Sequence, residues 1–256
     1  MPNMRNRLTA LIAAGVLAVA MIMGIPASQA RPAPRVTPAA HPTASPAQSA
    51  KTPNWNATVT RTPDEGYMLG NPDAPLHLVA YLSYTCPHCA DFEAEADAQL
   101  RLGMIAPGKG TYEIRPFLRN GLDLAAALLA ECGATSKFFG NTQALLAGQR
   151  TWMAPVGALT EAQKGRWESP DFGTKMRAIA SDLHLYDLME RRGYTRAEMD
   201  RCLSDKARAD RLAKRTAAAT EKDFINGTPG FLINGVTLTG TYSWEVLKPQ
   251  IDARLR

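Results

Sequence analysis

No acidic residue occurs before Asp64, and this absence changes how the overall charge is read. The formal net charge is +5, from 29 Lys and Arg against 24 Asp and Glu. Six of the basic residues (Arg5, Arg7, Arg31, Arg35, Lys51 and Arg61) lie in the acid-free stretch. The chain from Asp64 onward is close to neutral, so a basic nucleic-acid-binding face is not indicated. No G-x-G-x-x-G is present, so the usual nucleotide or flavin fingerprint is missing. Cys86 and Cys89 form a lone C-x-x-C with no second C-x-x-C or H-x₃-H pair, so half of an ordinary zinc site is lacking. Ala90 rather than His follows Cys89, which excludes c-type haem attachment. No internal repeat is visible. The remaining composition, 45% hydrophobic and 21% charged, excludes collagen, coiled coil and wholesale disorder and suffices for a sizeable core.

Arg5 and Arg7 precede an apolar run from Leu8 to Ile25, which ends in Pro26-Ala27-Ser28-Gln29-Ala30. A charged start, an apolar stretch and small residues at the last and third-last positions predict a secretory signal peptide over 1–30, cut after Ala30. The alternative is an uncleaved anchor, since about 18 apolar residues is near the lower limit for spanning a bilayer. Either way the bulk of the chain is exported, where thiols can be oxidised. Residues 31–55 are rich in Pro, Ala, Ser and Thr and read as a linker with too little apolar surface to fold.

Leu76 to Leu82 has the length and composition of a buried strand. It runs into Ser83-Tyr84-Thr85-Cys86-Pro87-His88-Cys89 and then a helix with Cys89, Phe92, Ala96 and Leu100 on one face. Tyr112, Ile114 and Pro116 alternate with Glu113 and Arg115 in a second strand. From residue 121 to 222 the period is helical, and Thr195 with Glu198 predicts a capping box. Phe231-Leu232-Ile233, Asn234-Gly235 and Val236 to Thr239 read as a hairpin with a type I′ turn. Ser243 is positioned to cap a last helix, inside which Pro249 predicts a kink or a late start. The fold class is therefore α/β with a helical insertion.

Two cysteines three apart, the first at a helix N-terminus, are a redox geometry. The helix dipole contributes only about 0.3–1 kcal/mol when exposed. A strongly acidic Cys86 therefore also needs direct N–H···S contacts and the imidazole of His88, against the nearby Asp91, Glu93 and Glu95. Stabilising that thiolate stabilises the dithiol, which makes the disulfide a better oxidant. A structural short-loop disulfide is the bland alternative.

Tyr84-Thr85-Cys86-Pro87-His88-Cys89-Ala90-Asp91-Phe92-Glu93 resembles the active-site helix of DsbA-type thiol:disulfide oxidoreductases of the thioredoxin superfamily. Ile225-Asn226-Gly227-Thr228-Pro229-Gly230-Phe231 resembles their late loop before the hairpin. The resemblance implies a thioredoxin-like fold, with core 70–120 and 223–256 and a helical domain, 121–222, between the second core strand and the cis-proline hairpin. It makes 56–256 one DsbA-like domain. By the same resemblance Cys86 is the exposed nucleophile, Cys89 its buried partner and His88 the thiolate stabiliser. Pro87 opens the helix. Pro229 is a cis proline that places the Thr228 backbone to pair with substrate. The implied activity is oxidation of reduced exported polypeptides in the periplasm, by a monomer with no bound cofactor or metal, recharged by a DsbB-type membrane oxidant. Isomerase or reductase activity at the same site, or an extracytoplasmic peptide- or soft-metal-binding module, are the rivals. No residue of the sequence matches the family's buried acid beneath the active site.

Cys132 and Cys202 each sit on an apolar stripe of the helical region. Four cysteines in an exported chain, two of them committed to C-x-x-C, leave Cys132–Cys202 as the natural structural disulfide. Two buried unpaired thiols are the alternative. His77 and His184 read as structural residues, and His41 lies in the linker.

Overall fold

Leu76–Leu82 (β3) is buried at six of its seven positions, which requires cover on both faces of the strand. Its neighbours supply that cover. The computed structural model describes residues 53–256, so the expected signal peptide at 1–30 and nearly all of the expected linker at 31–55 lie outside the described residues. Six strands form one mixed sheet in the order β1-β2-β4-β3-β5-β6. They are β1 (Val59–Arg61), β2 (Tyr67–Gly70), β3, β4 (Gly110–Pro116), β5 (Gly230–Ile233) and β6 (Val236–Thr237). Among the described residues only β3 and β4 run parallel, with Leu78 opposite Tyr112 and Ala80 opposite Ile114. The connection between them is α1 (Pro87–Leu100) followed by a π-helical turn at Arg101–Ile105.

β1 and β2 extend the sheet beyond the two core strands and hairpin legible in the sequence. Gly70 closes β2 at φ +121°, where an added Cβ would come within 2.8 Å of the Gly110 carbonyl oxygen. β4 departs from the half-buried pattern that its alternation suggests, since all seven of its residues are buried. Tyr112 and Ile114 face the main core with Phe92 and Ala96. On the other face Glu113 and Arg115 are buried as a pair, with Arg115 Nε 2.7 Å from Glu113 Oε1. His77 Nε2 stands 2.9 Å from the same carboxylate.

Between β4 and β5 lie α2 (Gly121–Ala130), α3 (Phe138–Ala147), α4 (Gln149–Met153), α5 (Glu161–Trp167), α6 (Phe172–Asp182), α7 (Leu185–Glu190), α8 (Arg196–Leu203) and α9 (Lys206–Lys222). The Thr195–Glu198 capping box opens α8. Cys132, after α2, and Cys202, in α8, are joined as a disulfide with their Cα atoms 5.7 Å apart. After the β5–β6 hairpin, whose turn residues Asn234 and Gly235 both have positive φ, α10 (Trp244–Asp252) packs on α1. Ser243 takes the N-cap position without a side-chain hydrogen bond, and Pro249 sits inside the helix without delaying its start.

Candidate active site

Cys86 is the N-cap of α1 and Pro87 its first residue, so the missing proline N–H falls where no intrahelical partner exists. The first turn holds no acid. The N–H groups of Cys89 and Ala90 donate to the Cys86 carbonyl at 3.1 and 3.3 Å, which fixes the turn around the sulfur. From the far end of the chain, Thr228-Pro229 adopts a cis peptide and sets the Thr228 carbonyl 3.1 Å from Cys86 Sγ. Cys86, His88, Phe117, Arg119 and the 226–228 loop line a cleft of about 440 Å³. The sequence expectation of an exposed nucleophile needs correction. Cys86 is only 4% exposed, with the Thr228 carbonyl against its sulfur, and it lines the cleft. Pro87 and His88 are exposed, and Cys89 is fully buried.

The Cys86 thiol is lowered to about 5. The largest cause is the hydrogen bond from the Cys89 thiol, which outweighs burial, with help from the Thr228 side chain and the N–H groups of Cys89 and His88. His88 thus acts on the sulfur through its backbone. Burial and the neighbouring Cys86 push the Cys89 thiol well up. The two sulfurs are therefore unequal, one an anion near neutral pH and the other a proton carrier.

Three residues that sequence reasoning did not single out, Ser83, Asp123 and Gln149, hold this arrangement, and Glu93 is buried beside it. Ser83 N–H donates to Cys89 Sγ at 3.4 Å. Ser83 Oγ donates to Asp123 Oδ1 at 2.9 Å. Asp123, fully buried in the first turn of α2, also accepts the N–H groups of Thr85 and Arg119, each at 3.0 Å. Gln149 in α4 donates from Nε2 to the carbonyls of Tyr84 at 2.7 Å and Cys86 at 2.9 Å. Glu93 lies one turn beyond Cys89 on α1 and accepts the Tyr112 hydroxyl. Burial raises its carboxyl to about 7. Glu93 was detectable as an acid four residues after Cys89, beside the apolar stripe. Asp123 and Gln149 carry no such signal, since each is an ordinary polar residue until the fold buries it. Among the described residues no three His, Cys, Asp or Glu side chains are grouped as a metal site would require.

A family model described as Thioredoxin matches residues 62–253. The chain belongs to the thioredoxin family. Its fold is the thioredoxin-like one with a helical insertion, here α2–α9. It is similar to a solved protein described as protein-disulfide isomerase from Novosphingobium aromaticivorans, at 47% identity and TM-score 0.71 over 74% of this chain and 96% of that one. It also shares its fold with alpha-DsbA1 of Wolbachia pipientis, at 22% identity and TM-score 0.56 over 74% of this chain and 90% of that one. A Rickettsia conorii protein named "Putative protein-disulfide oxidoreductase RC0029" is 31% identical over 194 residues, 75% of this chain. The chain spans 61% of that relative's length. The C-x-x-C meets the residue before the cis proline, with Cys86 Sγ 3.1 Å from the Thr228 carbonyl.

Proposed function

We propose that this chain is an exported thiol:disulfide oxidoreductase that acts mainly as an oxidase of reduced polypeptides in the periplasm. The observation that carries the reading is the placing of Cys86 Sγ at the start of α1, where the Cys89 thiol, the Thr228 side chain and the N–H groups of Cys89 and His88 lower its thiol to about 5. In the oxidised protein a client thiolate attacks Cys86 Sγ, the Cys86–Cys89 bond breaks, and Cys89 leaves with the electron pair and takes up a proton. A second client thiolate then attacks the client sulfur of the mixed disulfide and expels Cys86 as the stabilised thiolate. The client loses two electrons and the protein gains them as a dithiol. A leaving group lowered to about 5 favours that second step. Asp123 is joined to Cys89 through Ser83, whose N–H donates to the Cys89 sulfur and whose hydroxyl donates to the carboxylate.

In this reading residues 56–256 work as one DsbA-like domain, monomeric, delivered by the 1–30 signal peptide, with Thr228 and Pro229 presenting backbone to an extended client. The chemistry requires no bound cofactor. Recharging falls to a DsbB-type membrane oxidant. No helix among the described residues is long and apolar enough to cross a membrane.

Isomerase activity is the second reading, favoured by the description of the solved relative at 47% identity. Equilibration with glutathione separates the two. A Cys86–Cys89 couple more oxidising than glutathione is the expected result, and a more reducing one refutes the oxidase. Cys86→Ser should abolish dithiol oxidation and keep the fold, and oxidation that survives it removes the assignment.

A further inference from the structure

The sheet face opposite α1 carries a second, small core in which Val79 and Tyr81 pack on Ala219, Ile225 and Leu232. Beside it, between α9, the 63–65 loop and the β3–β4 surface, lies a cavity of about 350 Å³. Nothing in the redox chemistry uses it.

Five cationic and three acidic side chains line this cavity, and the acids are already engaged. Asp64 holds Arg115 Nη2 at 2.8 Å. Asp223 accepts the Tyr81 hydroxyl and stands 3.7 Å from Arg115 Nη1. Glu65 pairs with Arg61 and lies 3.7 Å from Arg211. Lys214 and Lys222 enter no ion pair among the described residues, and both are exposed at the cavity. The buried Arg215 is held in the wall by Glu131 at 3.5 Å and by the carbonyls of Glu65 and Pro116, which leaves Lys214 and Lys222 as the cations a ligand can pair with. Arg211, Arg215, Ala218 and Lys222 fall at helical spacing, so α9 presents cations on either side of a gap floored by small residues and Tyr81. A site with surplus, conformationally free cations around an apolar floor suits an oxyanion attached to a small organic body.

We propose that this cavity is a second binding site, taking a phosphate ester of the size of a glycerophosphate, with the phosphate among the α9 cations and the organic body against Ala218 and Tyr81. The ester could reach it free in solution or as a phospholipid headgroup.

The test titrates full-length protein calorimetrically with glycerol 3-phosphate and with inorganic phosphate, and adds sedimentation with phosphatidylglycerol vesicles. Saturable 1:1 binding of the ester is expected, tighter than inorganic phosphate and weakened by salt. A Lys214→Ala/Lys222→Ala variant should bind at least about tenfold more weakly. Lys214→Arg/Lys222→Arg should restore binding. Unchanged Cys86 alkylation in both variants reports an intact fold. Vesicle binding lost in the Ala variant identifies the headgroup as the source, and ester binding without vesicle binding identifies the free ester. No saturation at millimolar ester, equal affinity for inorganic phosphate, or undiminished binding by the Ala variant each overturns the proposal.

Discussion

Replacing Cys89 with Ala tests the electrostatic core of the site, because the Cys89 thiol is the largest single support of the Cys86 anion. The substitution leaves the Thr228 side chain and the N–H groups of Cys89 and His88 in place. It removes one hydrogen bond to a charged acceptor, worth about 1.5–3 kcal/mol. At 1.36 kcal/mol per pH unit this moves the Cys86 midpoint up by about 1–2 pH units, from about 5 to about 6–7. The assay is the pH dependence of iodoacetamide alkylation of reduced protein, with thiolate absorbance in the ultraviolet as a second readout. Near pH 7 both proteins are half or more thiolate, so the rates there should differ by about twofold or less. Near pH 5.5 the wild-type sulfur is mostly ionised and the variant's about one-tenth ionised, so the rates should separate by roughly eightfold. A midpoint unmoved by Cys89→Ala would show that the anion is held by something other than the neighbouring thiol. A wild-type midpoint near the free-thiol value of about 8.5 would refute the thiolate itself.

Glu93→Gln bears on pH-dependent stability. Burial raises the Glu93 carboxyl from 4.5 to about 7, so its contribution to folding is fully present below the unfolded value and is lost as pH rises through the folded one. Chemical denaturation should show the variant gaining about 3 kcal/mol on the wild type between about pH 4 and pH 8. A constant difference over that range contradicts the buried acid. Breaking the Cys132–Cys202 bond by Cys132→Ala/Cys202→Ala opens a loop of sequence separation 70 and should lower stability by about 4 kcal/mol. The Cys86 alkylation midpoint should stay put, and a moved midpoint would couple this disulfide to the redox site. Gln149→Leu orphans the Tyr84 and Cys86 carbonyls and should cost about 1–3 kcal/mol in denaturant unfolding. No loss would mean that another donor replaces it.

The parts of the fold legible in the sequence are those with strong local rules. β3 is a continuous apolar run, the β5–β6 turn is Asn-Gly, and α8 opens on a Thr-x-x-Glu box. β1 and β2 were not legible, since three and four residues carry no period and their burial comes from pairing with β4. The same holds within β4, where Glu113 and Arg115 read as solvent-facing but compensate one another under α9 and the 62–65 segment. At the site, Cys86, Pro87 and Cys89 were legible from spacing. The contact of Thr228 with Cys86 is 142 residues distant and was accessible only through resemblance. The low exposure of Cys86 is not legible for the same reason, because a residue's cover is a tertiary property.

The helical insertion is more than an appendage of the thioredoxin core, because it supplies two side chains that brace the backbone around Cys86. Gln149 in α4 holds the carbonyls of Tyr84 and Cys86, and Asp123 in α2 holds the N–H of Thr85. A helix N-terminus stabilises an anion only while its N–H groups stay aimed at the sulfur. Asp91 and Glu95 lie further along α1 and repel a Cys86 anion, while the buried Glu93, raised to about 7, is uncharged where Cys86 titrates, so positional tightness has to compensate for the weak long-range field. Softening the insertion should therefore raise the Cys86 midpoint without touching either cysteine. Asp123→Asn is the cleanest probe, since it keeps the volume and reduces the acceptors offered to Ser83, Thr85 and Arg119. Its alkylation midpoint should rise by about 0.5–1 pH unit, the worth of roughly one neutral hydrogen bond. A midpoint equal to wild type, in a variant whose unfolding shows lost stability, would mean that the α1 start holds its geometry without the insertion.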